Sequence, residues 1–246
     1  MNERLTEPLF YCETLDSDEL FLAGEEAHHV TVQRRRVGEA IALFDGRGTA
    51  ARGTIGAIGR NQVRVRVDER RREPRPGPAL ELYCALPKGD RVAVLLDMAT
   101  QLGMSRFTPI MWRRSVNAPG ARAVERWRRI CLEACKQSRR LFLPEIASPN
   151  DAGAAVQHAK AAGTRILVAH PGAGASSLSA INISGAARIG FFIGPEGGLT
   201  DDEVSALSLE NVDFVDLGPA ILRIETAAVA LLAAVNCTAP RPGRKA

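Results

Sequence analysis

Apolar and polar positions along the chain follow two different rhythms. In the first seventy or so residues the apolar runs are short and separated by turn signals. Ile41-Ala42-Leu43-Phe44 runs into Asp45-Gly46-Arg47-Gly48, a composition that favours a turn. Val63, Val65 and Val67 alternate with Arg64, Arg66 and Asp68. That period of two marks a half-buried strand with a basic outer face. Short strands between glycine turns predict a small β-barrel.

Residues 69–78, Glu-Arg-Arg-Arg-Glu-Pro-Arg-Pro-Gly-Pro, interrupt this rhythm. Three prolines and a glycine in a charged run predict a break in strand or helix. The expected division is therefore a domain over 1–73, a linker, and a domain over 79–246. Beyond the linker, strand-like and helix-like patterns alternate. Residues 80–86 read as a strand, and Val92, Leu95, Leu96 and Ala99 share a helical face. Val124, Trp127, Ile130, Cys131, Ala134 and Cys135 form the apolar stripe of a second helix, flanked by Arg126, Arg128, Arg129, Arg139 and Arg140. Residues 165–169 and 189–193 are short apolar runs suited to buried parallel strands. Thr200-Asp201-Asp202-Glu203 is a capping box that starts a helix. Residues 212–217 read as another strand, and 226–235 as a final helix. The alternation predicts an α/β domain with a mostly parallel sheet. No internal repeat is visible.

Composition narrows the class. At 246 residues, 46% hydrophobic and 24% charged, the chain has ordinary globular usage and enough material for a substantial core. No apolar run approaches the ~18 residues of a membrane span. The start, MNERLTEPLF, lacks a signal peptide's apolar core, so a cytoplasmic location is expected. Five scattered cysteines argue against a disulfide framework. Cys131 and Cys135 lie one helical turn apart with no second ligand pair nearby, and they read as core residues. His28 and His29 precede a basic run and read as local structure or RNA contacts. No metal site is expected.

Charge changes the picture further. Residues 1–140 carry 25 Lys/Arg against 18 Asp/Glu, whereas 141–246 carry 7 against 10. Of the 32 cationic residues 28 are arginine, whose planar fork suits phosphate and stacks on bases. A genome biased toward arginine codons would raise that count without any partner. The lopsided distribution nevertheless points to a polyanion, most simply a nucleic acid.

Two C-terminal segments carry candidate chemistry. In Phe191-Phe192-Ile193-Gly194-Pro195-Glu196-Gly197-Gly198-Leu199 a buried strand ends in a glycine-rich turn. Such turns let backbone approach a ligand beyond the carboxyl end of a strand. In Leu217-Gly218-Pro219-Ala220-Ile221-Leu222-Arg223-Ile224-Glu225-Thr226-Ala227-Ala228 a strand again meets a Gly-Pro turn and a helix start. Arg223 and Glu225 are isolated charges in an apolar stretch, so each needs a partner if buried. A structural ion pair is the plain alternative. A Rossmann-type enzyme is disfavoured, because no G-x-G-x-x-G follows an early strand.

Together these segments resemble the RsmE family of 16S rRNA uridine-N3 methyltransferases in the SPOUT superfamily. The likeness extends over nearly the whole chain. Gly24-Glu25-Glu26-Ala27-His28-His29-Val30, Arg36-Val37-Gly38-Glu39 and Phe44-Asp45-Gly46-Arg47-Gly48 resemble the family's PUA-like RNA-binding domain. Leu86-Pro87-Lys88-Gly89-Asp90-Arg91, Leu102-Gly103-Met104 and Glu133-Ala134-Cys135-Lys136-Gln137-Ser138-Arg139-Arg140 follow its central pattern. Three positions depart from it. Gln101 and Lys136 stand where glutamates are usual, and Ala220 where an arginine often follows Gly-Pro.

The resemblance implies a trefoil-knotted α/β catalytic domain behind the PUA-like β-barrel, acting as a homodimer on 16S rRNA in the 30S subunit. The methyl donor it implies is S-adenosyl-L-methionine (AdoMet). The implied cofactor contacts are Leu167, His170, Gly194, Pro195, Glu196, Gly198, Leu217, Gly218, Ala220, Leu222, Arg223 and Thr226. Arg223 is also the implied catalytic residue, stabilising the uridine N3 anion electrostatically. His170 reads as part of the cofactor loop before it reads as a proton acceptor. The expected RNA contacts are Arg34, Arg35, Arg36, Lys88, Arg91, Arg113, Arg114, Gln137, Arg139 and Arg140. Two other readings use the same residues. One is a SPOUT enzyme acting on a ribose 2′-hydroxyl or on tRNA, and the other is a non-catalytic RNA-binding or ribosome-assembly protein.

Overall fold

The structure, a computed structural model, describes residues 6–172 and 174–238. These form two compact units. The first holds residues 6–76 and Leu132–Leu143, and the second holds Gly77–Cys131 and residues 144–238.

The first unit is built on a five-stranded sheet. Across it the order is β1 (Leu9–Tyr11), β3 (Ala40–Phe44), β4 (Thr49–Ile58), β5 (Gln62–Arg72) and β2 (Glu19–Ala23). β1 pairs with β3 in parallel and the other neighbours are antiparallel. The alternation read in β5 is real. Val63 and Val65 are buried beside Phe10, Leu22, Ile41 and Leu43, while Arg64 and Arg66 face solvent.

Two features of this unit differ from expectation. Residues 69–72 were read with the run that breaks the strand pattern, but they continue β5 and pair with β4 as far as Thr49. The breaking residues start only at Pro74. The charged residues before them suit a strand with exposed side chains, and Arg70 donates to the Leu15 carbonyl at 2.6 Å. A helix, α1 (Gly24–Val32), also interrupts the run of strands. It buries only Glu26, Ala27 and Val30, too narrow a stripe to register as a helical period.

In the second unit the sheet order is β11 (Ser176–Ser177), β13 (Asp213–Asp216), β10 (Arg165–Ala169), β12 (Arg188–Ile193), β6 (Ala79–Cys84), β7 (Met104–Met111) and β8 (Glu145–Ile146). β9 (Asn150–Asp151) pairs with β7 off this path, and every pair is parallel. Parallel strands need crossovers, and the helices between strands here are α2 (Arg91–Gln101), α3 (Ala123–Ser138), α4 (Ala152–Ala161) and α5 (Asp201–Ser208), while α6 (Ile224–Thr238) follows β13. The central strands are mostly apolar because both faces are covered, although β6 buries Glu81. α2 buries Val92, Leu95, Leu96 and Ala99 and packs against α6. α3 buries Trp127 and Cys131, with the Trp127 ring edge-on to Phe107 at 5.7 Å.

Both helical cysteines of α3 are buried, as their reading as core residues implies. Burial pushes the Cys131 thiol up to about 11. The last stretch of α3, from Leu132, belongs to the first unit, where Cys135 packs with Phe44, Leu141 and Phe142.

Candidate active site

β12, β10 and β13 lie side by side in parallel, so their carboxyl ends emerge along one edge of the sheet. Ligands in open α/β sheets bind at that edge. Residues 169–171 leave β10 there, residues 193–199 leave β12, and β13 ends at Val215 and Asp216. Together with residues 217–222 and with Ile224 and Ala227 of α6, they enclose a cavity of about 350 Å³.

The two turns are shaped by local chemistry. The Ile193 carbonyl accepts from the Ala85 amide at 2.9 Å and the Trp112 indole at 3.1 Å. A Cβ on Gly194 would come within 2.8 Å of Leu199 Cδ2, so a side chain here would force Leu199 to shift. Gly198 takes φ +70°, and its amide donates to the Pro195 carbonyl at 2.8 Å. The capping box then starts α5. Thr200 Oγ1 accepts from the Glu203 amide, and the Glu203 carboxylate accepts from the Thr200 amide at 2.8 Å. In the second turn Gly218 takes φ +111° and donates its amide to Asp216 Oδ1 at 2.9 Å.

Nine of the twelve residues expected to contact the cofactor line the cavity. They are His170, Gly194, Pro195, Glu196, Gly198, Leu217, Gly218, Ala220 and Leu222. The other three do not. Leu167 is fully buried within β10, one layer below the cavity-lining Ala169, while Arg223 and Thr226 are exposed. Arg223 stands between the wall residues Leu222 and Ile224, and its carbonyl accepts from the Ala227 amide at the start of α6. The cavity also includes Ala169, Pro171, Ile193, Gly197, Leu199, Val215, Asp216, Ile221, Ile224 and Ala227. Most of these sit inside the two motif segments. Val215 and Asp216 were missed because a strand end carries no signal of its own.

The electrostatics of the site centre on carboxylates. Arg91 lies 3.8 Å from Glu196 and 3.6 Å from Glu225. Burial, reinforced by the charges of Glu225 and Glu196, pushes the Cys84 thiol far up, so Cys84 is no thiolate nucleophile. His170 packs edge-on to Phe214 at 5.9 Å, and its amide donates to the Val215 carbonyl.

The ten expected RNA contacts fall into two groups. Arg34, Arg35, Arg36, Gln137, Arg139 and Arg140 belong to the first unit, and Lys88, Arg91, Arg113 and Arg114 to the second. Several are engaged within the protein. Arg35 pairs with Glu39 at 3.5 Å, and Arg139 donates to the carbonyls of Glu7 and Thr6. Arg140 is half-buried, and desolvation lowers its pKa. Arg113 pairs with Asp202 at 3.0 Å, and Arg114 donates to the Gly197 and Leu199 carbonyls. Arg34, Arg36, Lys88 and Gln137 are exposed, and among the described residues none of them is in an ion pair.

His29 was read as local structure or an RNA contact, and its side chain has partners within the first unit. Its Nδ1 lies 2.9 Å from the Lys136 ammonium, which also donates to Glu26 at 2.8 Å and Glu133 at 2.7 Å. Glu26, His29 and Glu133 are close enough together to hold a cation, and the Lys136 ammonium lies among them.

Comparison with known proteins places this arrangement. Residues 74–236 match a model of the RNA methyltransferase domain, and 22–68 match the RNA methyltransferase PUA domain. The chain is 35% identical to the ribosomal RNA small subunit methyltransferase E of Mycobacterium bovis, across 95% of this chain and 92% of that protein. Its counterpart in Bacillus subtilis is 30% identical, across 87% and 88%. Among solved structures, the Neisseria gonorrhoeae methyltransferase E bound to S-adenosyl methionine superposes with a TM-score of 0.84 at 26% identity, covering 93% of this chain and 96% of that one. A Legionella pneumophila methyltransferase with bound SAM gives 0.84 at 27% identity, covering 95% and 98%. The fold is thus the SPOUT type, with a PUA-like domain ahead of the catalytic one. With a family model spanning most of the chain and relatives aligned over nearly their full length, the chain belongs to the ribosomal RNA small subunit methyltransferase E family.

Proposed function

We propose that this chain is an AdoMet-dependent methyltransferase acting on N3 of a uridine in the 16S rRNA of the small ribosomal subunit. The observation that carries the reading is the cavity beyond β10, β12 and β13, in a chain whose relatives are small-subunit rRNA methyltransferases.

The cavity suits the methyl donor. Its volume of about 350 Å³ falls in the range of small-molecule sites. Ile193, Leu199, Leu217, Leu222 and Ile224 supply apolar walls, and Gly194, Gly197, Gly198 and Gly218 let backbone approach closely. Glu196 and Asp216, also in the wall, complement a cationic ligand. We assign the cofactor contacts to the nine wall residues named above. When bound, the donor supplies an electrophilic methyl group on a sulfonium.

The protein's part is positioning and charge. Uridine N3–H is a weak acid, and its anion must be held in line with the methyl group. Arg223, exposed between two wall residues, stabilises that anion as it develops. Residues 1–73 serve RNA binding, with Arg34, Arg36 and Gln137 reaching phosphates in the first unit and Lys88 in the second. The active form is a cytoplasmic homodimer, and the substrate is the RNA within the 30S subunit. No helix of the described residues is long and apolar enough to cross a membrane.

The reading is tested with radiolabelled AdoMet, unmodified 30S subunits, naked 16S rRNA and tRNA. Label entering small-subunit RNA, and lost in Arg223→Ala, supports it. Label entering tRNA instead keeps the enzyme class and discards the substrate.

A further inference from the structure

Arg91 was expected to contact RNA, yet all three of its guanidinium nitrogens face oxygens of the protein itself. Nε donates to the Lys88 carbonyl at 3.2 Å. Nη2 lies 3.8 Å from Glu196 Oε1, and Nη1 lies 3.6 Å from Glu225 Oε1. The side chain is only 33% exposed. The two carboxylates belong to different elements beside the cavity. Glu196 is itself a wall residue in the turn after β12, and Glu225 sits between the wall residues Ile224 and Ala227 at the start of α6.

Glu225 makes the bridge consequential. Its side chain is 11% exposed, and its Oε2 is buried with no hydrogen-bond partner. A buried carboxylate in that state depends on a nearby cation, and its ion pair in the structure is with Arg91. Arginine also suits the task better than lysine. Its fork presents separate nitrogens to two acids, whereas an ammonium is a single point.

We propose that Arg91 is a positioning residue of the cofactor site, a bridge that sets the spacing of the turn after β12 and the start of α6 by pairing with Glu196 and Glu225. It is absent from the wall and acts on the ligand through Glu196 and through the wall residues Ile224 and Ala227 that flank Glu225. The proposal rests on the reading of the cavity as the AdoMet site.

The test is calorimetric titration of AdoMet into the full-length protein without RNA, for the wild type, R91A, R91K, E225Q and R91A/E225Q. We expect R91A and R91K each to weaken binding about tenfold, the scale of coupling between contacting groups. R91A/E225Q should weaken it no further than R91A does, because both changes break one bridge. In turnover the KM for AdoMet should rise, while the KM for RNA and kcat at saturating AdoMet hold. Should R91A fail to fold, R91K keeps the buried acid next to a cation, and R91A/E225Q removes the uncompensated charge. Wild-type affinity in R91A, with a loss confined to RNA binding, overturns the bridge. Full affinity in R91K overturns it as well, because charge without the fork then suffices. No AdoMet binding by the wild type overturns the cofactor reading itself, and the role of Arg91 with it.

Discussion

The Arg114 guanidinium holds the glycine-rich turn by its backbone, one nitrogen donating to the Gly197 carbonyl at 2.8 Å and to the Leu199 carbonyl at 3.1 Å. Arg114, expected from sequence to contact phosphate, also braces the cavity wall. Arg114→Ala should leave the fold intact, at a stability loss of about 1 kcal/mol for the charge-assisted hydrogen bonds. AdoMet affinity should fall several-fold, measured by calorimetry without RNA. An unchanged affinity with weakened RNA binding would return Arg114 to the phosphate track.

Gly218, at φ +111°, occupies backbone that side chains rarely adopt, and no atom lies within 4 Å of a Cβ placed there. Substitution is disfavoured by strain and not by crowding. Gly218→Ala should lower stability by roughly 1–3 kcal/mol and reshape the turn after β13. Gly194→Ala meets the opposite problem, collision with Leu199 Cδ2 at 2.8 Å. Thermal unfolding with and without AdoMet should show both variants losing ligand-induced stabilisation.

Lys136 lies in the first unit with its side chain 8% exposed, and its ammonium faces Glu26, Glu133 and His29. There it neutralises a half-hidden acidic cluster. Lys136→Met should destabilise the protein by about 3 kcal/mol, because it leaves the buried Glu26 carboxylate without its ammonium. Chemical denaturation reads this directly. Combining it with Glu26→Gln should recover much of the loss.

Glu203 responds to pH in a definite direction. Burial alone would raise its pKa, but hydrogen bonds from the Arg113 and Thr200 amides and the Thr200 hydroxyl outweigh it. The folded pKa is therefore lowered. A lowered carboxylate pKa contributes stability above the unfolded value, and that contribution disappears as pH falls through the folded value. Acid titration of stability should lose part of its slope below the ordinary glutamate range in Glu203→Gln. Thr200→Ala should cost about 1 kcal/mol at neutral pH through the lost helix cap.

Periodicity was enough to find the strands and helices that the core needs most. The alternation of Val63 and Val65, the apolar run of β10 and the face of Val92, Leu95, Leu96 and Ala99 all correspond to observed burial. α1 stayed hidden because its buried stripe is only three residues. β8 and β9 are two residues each, too short to carry a period. In the site, glycine-rich turns were visible as composition, and nine expected residues meet at one cavity. Side-chain partners were not visible. Nothing in the spacing of Arg91, Arg114 and Glu225 says that the first pairs with Glu225 or that the second reaches Gly197. Those contacts join segments about a hundred residues apart, and only the strand order brings them together.

The central claim is a reaction on a particular atom, and nucleoside analysis reads that atom. Unmodified 30S subunits are incubated with the protein and AdoMet, the 16S rRNA is digested, and its nucleosides are resolved by mass spectrometry. The expected result is N3-methyluridine, abolished in Arg223→Ala. A ribose-methylated nucleoside, or no methylated product from an enzyme that binds AdoMet, would contradict it.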